Sequence, residues 1–108
     1  MTGTRQHFQQ ELQALEAQAL GALDLVVGAL DRTMEALHHQ DIELASIVIL
    51  DDDRIDGRYL EVHQGILSLL ALQAPVASDL RVVAALLHVI KHAERMGDQC
   101  VNLSLIHI

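Results

Sequence analysis

The sequence predicts an all-α protein, an up-down-up bundle of three helices. Its 108 residues are 51% hydrophobic, and most of these are Leu, Ala, Val and Ile, whereas Phe and Tyr occur once each and Trp is absent. No segment alternates between apolar and polar residues with the period of two that a half-buried strand requires. A single proline, Pro75, leaves long segments free to form helices joined by short connections around one modest core.

The first helix is predicted from about Thr4 to Leu37, because apolar residues recur there at intervals of three and four. This apolar stripe consists of Phe8, Leu12, Leu15, Ala19, Leu23, Val26, Leu30, Met34 and Leu37. The polar stretch from His38 to Asp41 should break the helix. The Asp41 side chain can then accept hydrogen bonds from the first free backbone N–H groups of the next helix.

The second helix should run from this break to about Leu72. Its apolar stripe consists of Ile55, Tyr59, Val62, Ile66 and Leu69. Three consecutive aspartates, Asp51 to Asp53, lie in the middle of this helix. Because aspartate has a poor helix propensity, we expect a kink or local fraying at this point.

The third helix should begin after a turn at residues 73–75, because Pro75 lacks a backbone donor and pushes its predecessor out of the helical region. Ser78 or Asp79 can cap its first turn, and Asp79 also opposes the positive end of the helix dipole. The predicted apolar stripe is Leu80, Val83, Leu87 and Ile90, and Glu94, Asp98 and Val101 continue it. Two acids are therefore expected at core positions.

Four carboxylates form two pairs with i, i+4 spacing, Asp52 with Asp56 and Glu94 with Asp98. The first pair lies about 18 and 22 residues before Ala74, and the second lies about 20 and 24 residues after it. Two antiparallel helices that rise ~1.5 Å per residue would therefore bring the pairs to within roughly 3 Å of one level.

Placing several like charges together is costly unless a cation neutralises them, so this arrangement points to a metal site. Oxygen ligands alone suit a hard or borderline cation such as Mg, Mn or Fe, whereas a structural zinc site prefers Cys and His. On spacing alone, a solvated acidic face balanced by nearby Lys and Arg side chains is an equally good interpretation.

Composition also bears on compartment and partners. The net charge of −8 argues against nucleic acid or an anionic membrane surface as a partner, since both require clustered Lys and Arg. The single cysteine, Cys100, fits a reducing compartment, where it would be a small buried residue. Residues 1–10 lack the apolar segment of a secretory leader, and polar residues interrupt every long apolar stretch. We therefore expect a cytoplasmic protein.

An alternative site is Glu35 with His38, whose i, i+3 spacing is that of di-iron carboxylate bundles and would indicate an enzyme. Such a site needs a second Glu-x-x-His and two further glutamates at mid-bundle level, which the sequence lacks. His88 and His92 are expected on a partly exposed face. We predict no catalytic residue, and a plain helical scaffold is the other alternative.

Two segments resemble the PhoU family of phosphate-signalling accessory proteins. They are residues 73–81, Gln-Ala-Pro-Val-Ala-Ser-Asp-Leu-Arg, and residues 94–102, Glu-Arg-Met-Gly-Asp-Gln-Cys-Val-Asn. The long opening helix and the acidic segment at residues 51–56 are also similar to that family, so the likeness covers residues 5–102. Members consist of two similar three-helix repeats, which implies that residues 5–102 form one repeat, the N-terminal one, of a six-helix protein.

The resemblance also implies ligands and partners. Acidic motifs of the Glu-x-x-x-Asp type bind multinuclear metal clusters in the family, with Fe the first expectation and Mg, Mn or Zn the alternatives. The implied ligands here are Asp52, Asp56, Glu94 and Asp98, with Asn102 as a weaker candidate. The family acts as a cytoplasmic negative regulator that links the ATPase of a phosphate ABC transporter to a sensor histidine kinase, and it reaches the membrane through these partners only.

The resemblance ends near Asn102. Residues 103–108, Leu-Ser-Leu-Ile-His-Ile, resemble the translation of a transposon adapter used in sequencing libraries, so we expect a non-native tail and assign no function to His107. Because the chain holds one repeat of two, we expect a fragment. The apolar flank that the second repeat would cover should then drive self-association into a homodimer.

Overall fold

The computed structural model describes residues 2–72 and 76–107, with side chains described for residues 5–72 and 76–106. These residues form three helices, α1 (Thr2–His39), α2 (Ile42–Leu72) and α3 (Ala77–His107), and no strand. Each helix packs against both others in a bundle of 58 × 18 × 16 Å, a length that matches the ~57 Å of a 38-residue helix. The predicted all-α bundle is confirmed. The predicted turn at 73–75 lies outside the described residues.

The junction between α1 and α2 follows the prediction. Asp41 Oδ1 accepts hydrogen bonds from the backbone N–H groups of Glu43 and Leu44, at 2.9 and 3.2 Å. Gln40 adopts a left-handed conformation with φ of 53°, and the Asp41 N–H donates to the Ala36 carbonyl at 3.0 Å. This geometry ends α1 and satisfies one of its last free carbonyls, while Asp41 caps α2.

The start of α3 is also tied to α1. Asp79 is buried, and its Oδ2 accepts from the Val76 N–H at 3.2 Å, so Asp79 stabilises the first turn of α3 as predicted. Asp79 Oδ2 also accepts a hydrogen bond from Arg5, and Asp79 Oδ1 accepts one from Gln9 Nε2 at 3.0 Å. This group therefore joins one end of α1 to the first turn of α3.

The core consists of two clusters along the bundle. One cluster contains mostly larger side chains, namely Phe8, Leu12, Leu15, Ala19, Val62, Ile66, Leu69, Val83, Leu86 and Ile90. The other contains mostly smaller side chains, namely Ala22, Val26, Ala29, Val48, Ile55, Ala93 and Cys100. The prediction that Cys100 is buried is confirmed.

In the second half of α1 the predicted stripe is wrong. Leu30 and Met34 are 48% and 60% exposed, and the neighbouring small residues Ala29 and Thr33 are buried instead. Small side chains on this face let α2 and α3 approach α1 closely. The larger residues of α1 are consequently left at the surface.

In α3 the predicted Val83 and Ile90 are buried, but the rest of the buried face is displaced from the predicted stripe by one residue. Leu80 is 50% exposed, and the core positions at the acidic level belong to Ala93 and Gly97 rather than to Glu94 and Asp98. The prediction that acids occupy core positions of α3 is therefore wrong. Carboxylates at the edge of the interface keep part of their hydration, which a core position would remove.

The three consecutive aspartates do not interrupt α2, which is helical from Ile42 to Leu72. The kink predicted at Asp51 to Asp53 is therefore not observed. Their side chains differ in exposure, since Asp51 is buried, Asp52 is half-buried and Asp53 is exposed. Asp53 is the most exposed of the three.

The segment Arg5–His39 of α1 is long and apolar enough to cross a membrane by length and composition, which the sequence analysis did not anticipate. Core helices of soluble proteins meet the same criterion, and 33% of the most apolar window is buried within the bundle. A single such helix is weak evidence for a membrane span.

The predicted tail beyond Asn102 continues α3, which ends at His107. Ser104 is buried in this segment, with an Oγ that has no hydrogen-bond partner among the described residues. The assignment of residues 103–108 as non-native stays a prediction.

Candidate metal centre

The candidate centre lies where α2 faces α3. Asp52 and Asp56 project from successive turns of α2, and both are half-buried. Exposed Asp98 projects from α3 toward them, and one carboxylate oxygen from each of the three residues lies within 4.8 Å of the others. The predicted convergence of the two helices is therefore observed for these three acids.

A glycine in α3 makes this close approach possible. A Cβ built on Gly97 would lie 2.8 Å from Asp52 Oδ1 and 3.1 Å from Ile55 Cδ1. Both distances are shorter than ordinary van der Waals contacts, so a side chain at position 97 would displace a neighbouring atom. The absence of a side chain at position 97 thus lets the Asp52 carboxylate lie against the α3 backbone.

Glu94 lies beside the three acids without joining their tight group. Its side chain is 23% exposed, and its charge contributes to the raised pKa of Asp56. Lys91 Nζ is 4.0 Å from Glu94 Oε1, and it also lies over the Tyr59 ring at 5.5 Å from the ring centroid. In this arrangement Glu94 is partly neutralised by a lysine.

Asn102 is exposed one turn of α3 beyond Asp98. Its role as a weaker ligand stays a prediction, as do the roles of the four acids.

The electrostatics of the cluster are those of crowded carboxylates. Burial raises the pKa of Asp52 to about 6, and the charges of Asp56, Asp98 and Asp53, followed by a side-chain hydrogen bond with Asp98, add to the shift. Burial also raises the pKa of Asp56, with further contributions from Glu94, Asp98 and Asp53. Like charges held together in this way disfavour full ionisation unless a cation is present.

One oxygen of Asp52 indicates that the centre can accept a cation. Its Oδ1 is buried and has no hydrogen-bond donor among the described residues. Buried carboxylate oxygens normally have a donor or a cation. Metal–oxygen bonds of about 2.0 to 2.6 Å place ligands on opposite sides of an ion up to roughly 4 to 5 Å apart, so the three oxygens fit one cation. The donor set suits Mg, Mn or Fe better than Zn.

The sequence analysis did not single out Asp51 and its partner. Asp51 is 1% exposed, and Arg32 Nε of α1 donates to its Oδ2 at 2.6 Å. This hydrogen bond raises the pKa of Arg32, although its partial burial opposes the shift. Asp51 precedes Ile55 by one turn, so extending the apolar stripe of α2 backwards would have revealed it as an acid on the core face.

The alternative di-iron site is not supported by its geometry. Glu35 and His38 are both exposed near the end of α1 rather than directed into the bundle. His88 and His92 are exposed as predicted, with ring centroids 6.4 Å apart. Neither pair contributes to the carboxylate cluster.

The fold and the cluster together define a helical-bundle protein with a carboxylate site between its second and third helices. A protein-family model described as the PhoU domain matches residues 20–106. The chain therefore belongs to the PhoU family, and the resemblance drawn from the sequence is confirmed.

Similar proteins have names that agree with this family. A phosphate-specific transport system accessory protein PhoU homolog of Aquifex aeolicus is 35% identical over 94 residues, which cover 87% of this chain and 42% of that protein. A homolog of the same name from Clostridium acetobutylicum is 32% identical over 102 residues, covering 94% of this chain and 47% of that protein. The phosphate-specific transport system accessory protein PhoU of Serratia marcescens is 35% identical over 91 residues, which cover 84% of this chain and 37% of that protein.

The chain thus spans less than half the length of these relatives. No solved structure matches it.

Proposed function

We propose that this chain is a metal-binding regulator of phosphate transport that restrains phosphate uptake and the phosphate-starvation response. One observation supports the metal: carboxylate oxygens of Asp52, Asp56 and Asp98 lie within 4.8 Å of one another, and the buried Oδ1 of Asp52 has no donor among the described residues. Membership of the PhoU family and the names of the relatives support the role in phosphate transport.

In this proposal Asp52, Asp56 and Asp98 hold a divalent or trivalent metal cluster, with Fe first and Mg, Mn or Zn as alternatives. Glu94 joins when Lys91 releases it, and Asn102 completes the set. The cation neutralises the acids and fastens α2 to α3, so its role is structural or part of a partner contact. The carboxylates do not act as catalytic acids, and the chain is not an enzyme.

The proposed partners are the ATPase of a phosphate ABC transporter and a sensor histidine kinase. The relatives are named as accessory proteins of a phosphate-specific transport system, which supports a transporter partner. The proposed location is the cytoplasm, with the membrane reached through these partners.

We also propose that the chain forms a homodimer. The apolar surface of α1 supports this, because Val27, Leu30 and Met34 are 60%, 48% and 60% exposed and Met96 of α3 is 41% exposed. Sedimentation at micromolar concentration tests the assembly. A clean monomer would contradict it.

Metal analysis tests the metal site. The purified chain is reconstituted with Fe, Mn or Mg beside a Glu94→Gln, Asp98→Asn double variant. The matched control is Asp24→Asn, Glu35→Gln, which removes the same charge from exposed positions of α1. We expect stoichiometric metal in the wild type and in the control, and loss in the first variant.

Loss of metal in the control alone would instead favour the site at Glu35 and His38. Absence of metal from all three proteins would contradict the metal site and favour the alternative of a plain helical scaffold.

The regulatory role is tested in cells that lack their own PhoU protein. We expect the wild-type chain to lower the activity of a phosphate-starvation reporter in phosphate-rich medium, and the Glu94→Gln, Asp98→Asn variant to fail. Equal reporter activity with and without the wild-type chain would contradict regulation by this repeat.

A further inference from the structure

A second polar site lies on the opposite flank of α2 from the carboxylates. A groove of about 310 Å³ runs between α1 and α2, lined by Leu25, Arg54, Gly57, Arg58 and Glu61. The carboxylate cluster faces α3, whereas this groove faces α1. At the same level of the bundle, α2 therefore presents carboxylates to one neighbour and guanidinium groups to the other.

The two arginines of the groove differ from the cations that hold the fold together. Arg5, Arg32 and Lys91 each lie within 4.0 Å of a carboxylate. Among the residues whose side chains are described, no carboxylate lies that close to Arg54 or Arg58, although the chain has 15 acids and a net charge of −8. Residues four apart on a helix are neighbours on its surface, so both guanidinium groups can reach one ligand.

Glycines leave space around these side chains. The Arg58 guanidinium lies against α1 at Gly21, with Nη1 3.5 Å and Cζ 3.6 Å from the position of a Cβ at that residue. A Cβ at Gly57 would meet nothing within 4 Å, so the groove is open between the two arginines. The site is thus accessible to a ligand without rearrangement of the helices.

The lining specifies the chemistry of the ligand. Guanidinium groups bind phosphate oxygens in a bidentate manner, and two of them offset the charge of a phosphate monoester. Glu61 would repel a phosphate placed beside it, but its carboxylate accepts hydrogen bonds from hydroxyl groups. Leu25 adds an apolar contact, and the volume lies at the lower end of small-molecule sites.

We propose that this groove binds a phosphorylated small molecule that carries hydroxyl groups, with its phosphate on Arg54 and Arg58 and a hydroxyl on Glu61. A sugar phosphate and a nucleotide share this chemistry. The site is separate from the carboxylate centre and does not depend on a metal.

Titration calorimetry on the whole chain in EDTA tests the site, with ribose 5-phosphate, AMP and inorganic phosphate as probes. We expect ribose 5-phosphate or AMP to bind at least about tenfold more tightly than inorganic phosphate, because only these compounds offer hydroxyls to Glu61. Tighter binding of AMP would identify a nucleotide as the ligand class, and equal or weaker binding would identify a sugar phosphate.

Variants separate a built site from a general effect of charge. Arg54→Gln, Arg58→Gln should weaken binding at least about tenfold, since both charged hydrogen-bonding groups are removed. Its matched control is Arg81→Gln, Arg95→Gln, which removes the same charge from exposed positions of α3 and should change affinity less than about twofold at moderate salt. Gly57→Leu fills the groove at a position where a side chain meets no neighbour, and it should abolish binding.

Three results would overturn the proposal. The first is the absence of binding heat with both ribose 5-phosphate and AMP at millimolar concentration. The second is an equal loss of affinity in the two double variants, and the third is wild-type affinity in Gly57→Leu. Circular dichroism checks that each variant keeps its helical content. Because EDTA is present throughout, a negative result leaves the metal-binding proposal untouched, and absence of metal from the carboxylates leaves this one untouched.

Discussion

Gly97 of α3 lies so close to the Asp52 carboxylate of α2 that a Cβ at position 97 would come within 2.8 Å of Asp52 Oδ1. The half-buried Asp52 side chain therefore depends on the glycine opposite it for its position. Asp52 Oδ1 is itself buried and has no hydrogen-bond donor among the described residues. The metal proposal gives this oxygen its partner.

Gly97→Ala should therefore impair the metal centre. The added methyl group displaces the Asp52 carboxylate, and we expect the metal dissociation constant to rise at least about tenfold, the scale seen when residues that orient ligands are changed. Gly57→Ala is the matched control, since both glycines lie within helices and a Cβ at position 57 meets no neighbour. Metal titration of both variants checks this, and equal affinities would contradict the geometry.

The raised pKa of Asp52 predicts a pH dependence of the metal-free chain. Folding raises this pKa from the ordinary value near 4 to about 6, so the native state holds the proton more tightly than the unfolded state. The contribution of the neutral carboxyl to stability is full below about pH 4 and is lost as the pH rises through 6.

Urea denaturation in EDTA measures this effect as the difference between the wild type and Asp52→Asn. The variant should be the more stable protein at pH 7, and its advantage should shrink as the pH falls from 6 to 4. The lowered pKa of Asp79, caused first by its hydrogen bond with Arg5, acts at lower pH and is common to both proteins, so it cancels in the difference. A difference that does not vary between pH 4 and 7 would contradict the shift.

The predictable parts of the fold depend on local chemistry. The end of α2 at Leu72 and the cap at Asp41 follow from periodicity and from hydrogen bonds within a few residues. The positions of Asp52 and Asp56 at the edge of the α2 interface follow from the stripe beginning at Ile55. Each of these features is encoded within one or two helical turns.

The missed parts depend on how the helices rotate against one another. In α3, the local sequence does not distinguish Leu86 from Leu87, whereas the apolar character of Ala93 does favour it over Glu94 for the buried face. Arg32 and Asp51 are 19 residues apart on different helices, so their contact likewise requires the rotation of both helices to be known.

The Arg32–Asp51 pair gives a stability prediction. Arg32→Met leaves the buried Asp51 carboxylate without its donor and should lower the free energy of unfolding by about 2 kcal/mol, less than for a fully buried pair because the Arg32 side chain is 35% exposed. The double variant Arg32→Met, Asp51→Leu removes both charges and should recover to within ~1 kcal/mol of the wild type. Urea denaturation of the three proteins measures these differences, and equal destabilisation of the single and double variants would contradict the prediction.

The left-handed conformation of Gln40 gives the last prediction. A side chain with a Cβ is strained at a φ of 53°, whereas glycine adopts this conformation freely. Gln40→Gly should therefore raise the free energy of unfolding by about 0.5 to 1 kcal/mol. Gln64→Gly, at an exposed position inside α2, is the matched control and should lower it by a similar amount, about 1 kcal/mol. Thermal denaturation should shift the two midpoints in opposite directions, and a loss of stability in both variants would mean that the left-handed turn does not limit the stability of the bundle.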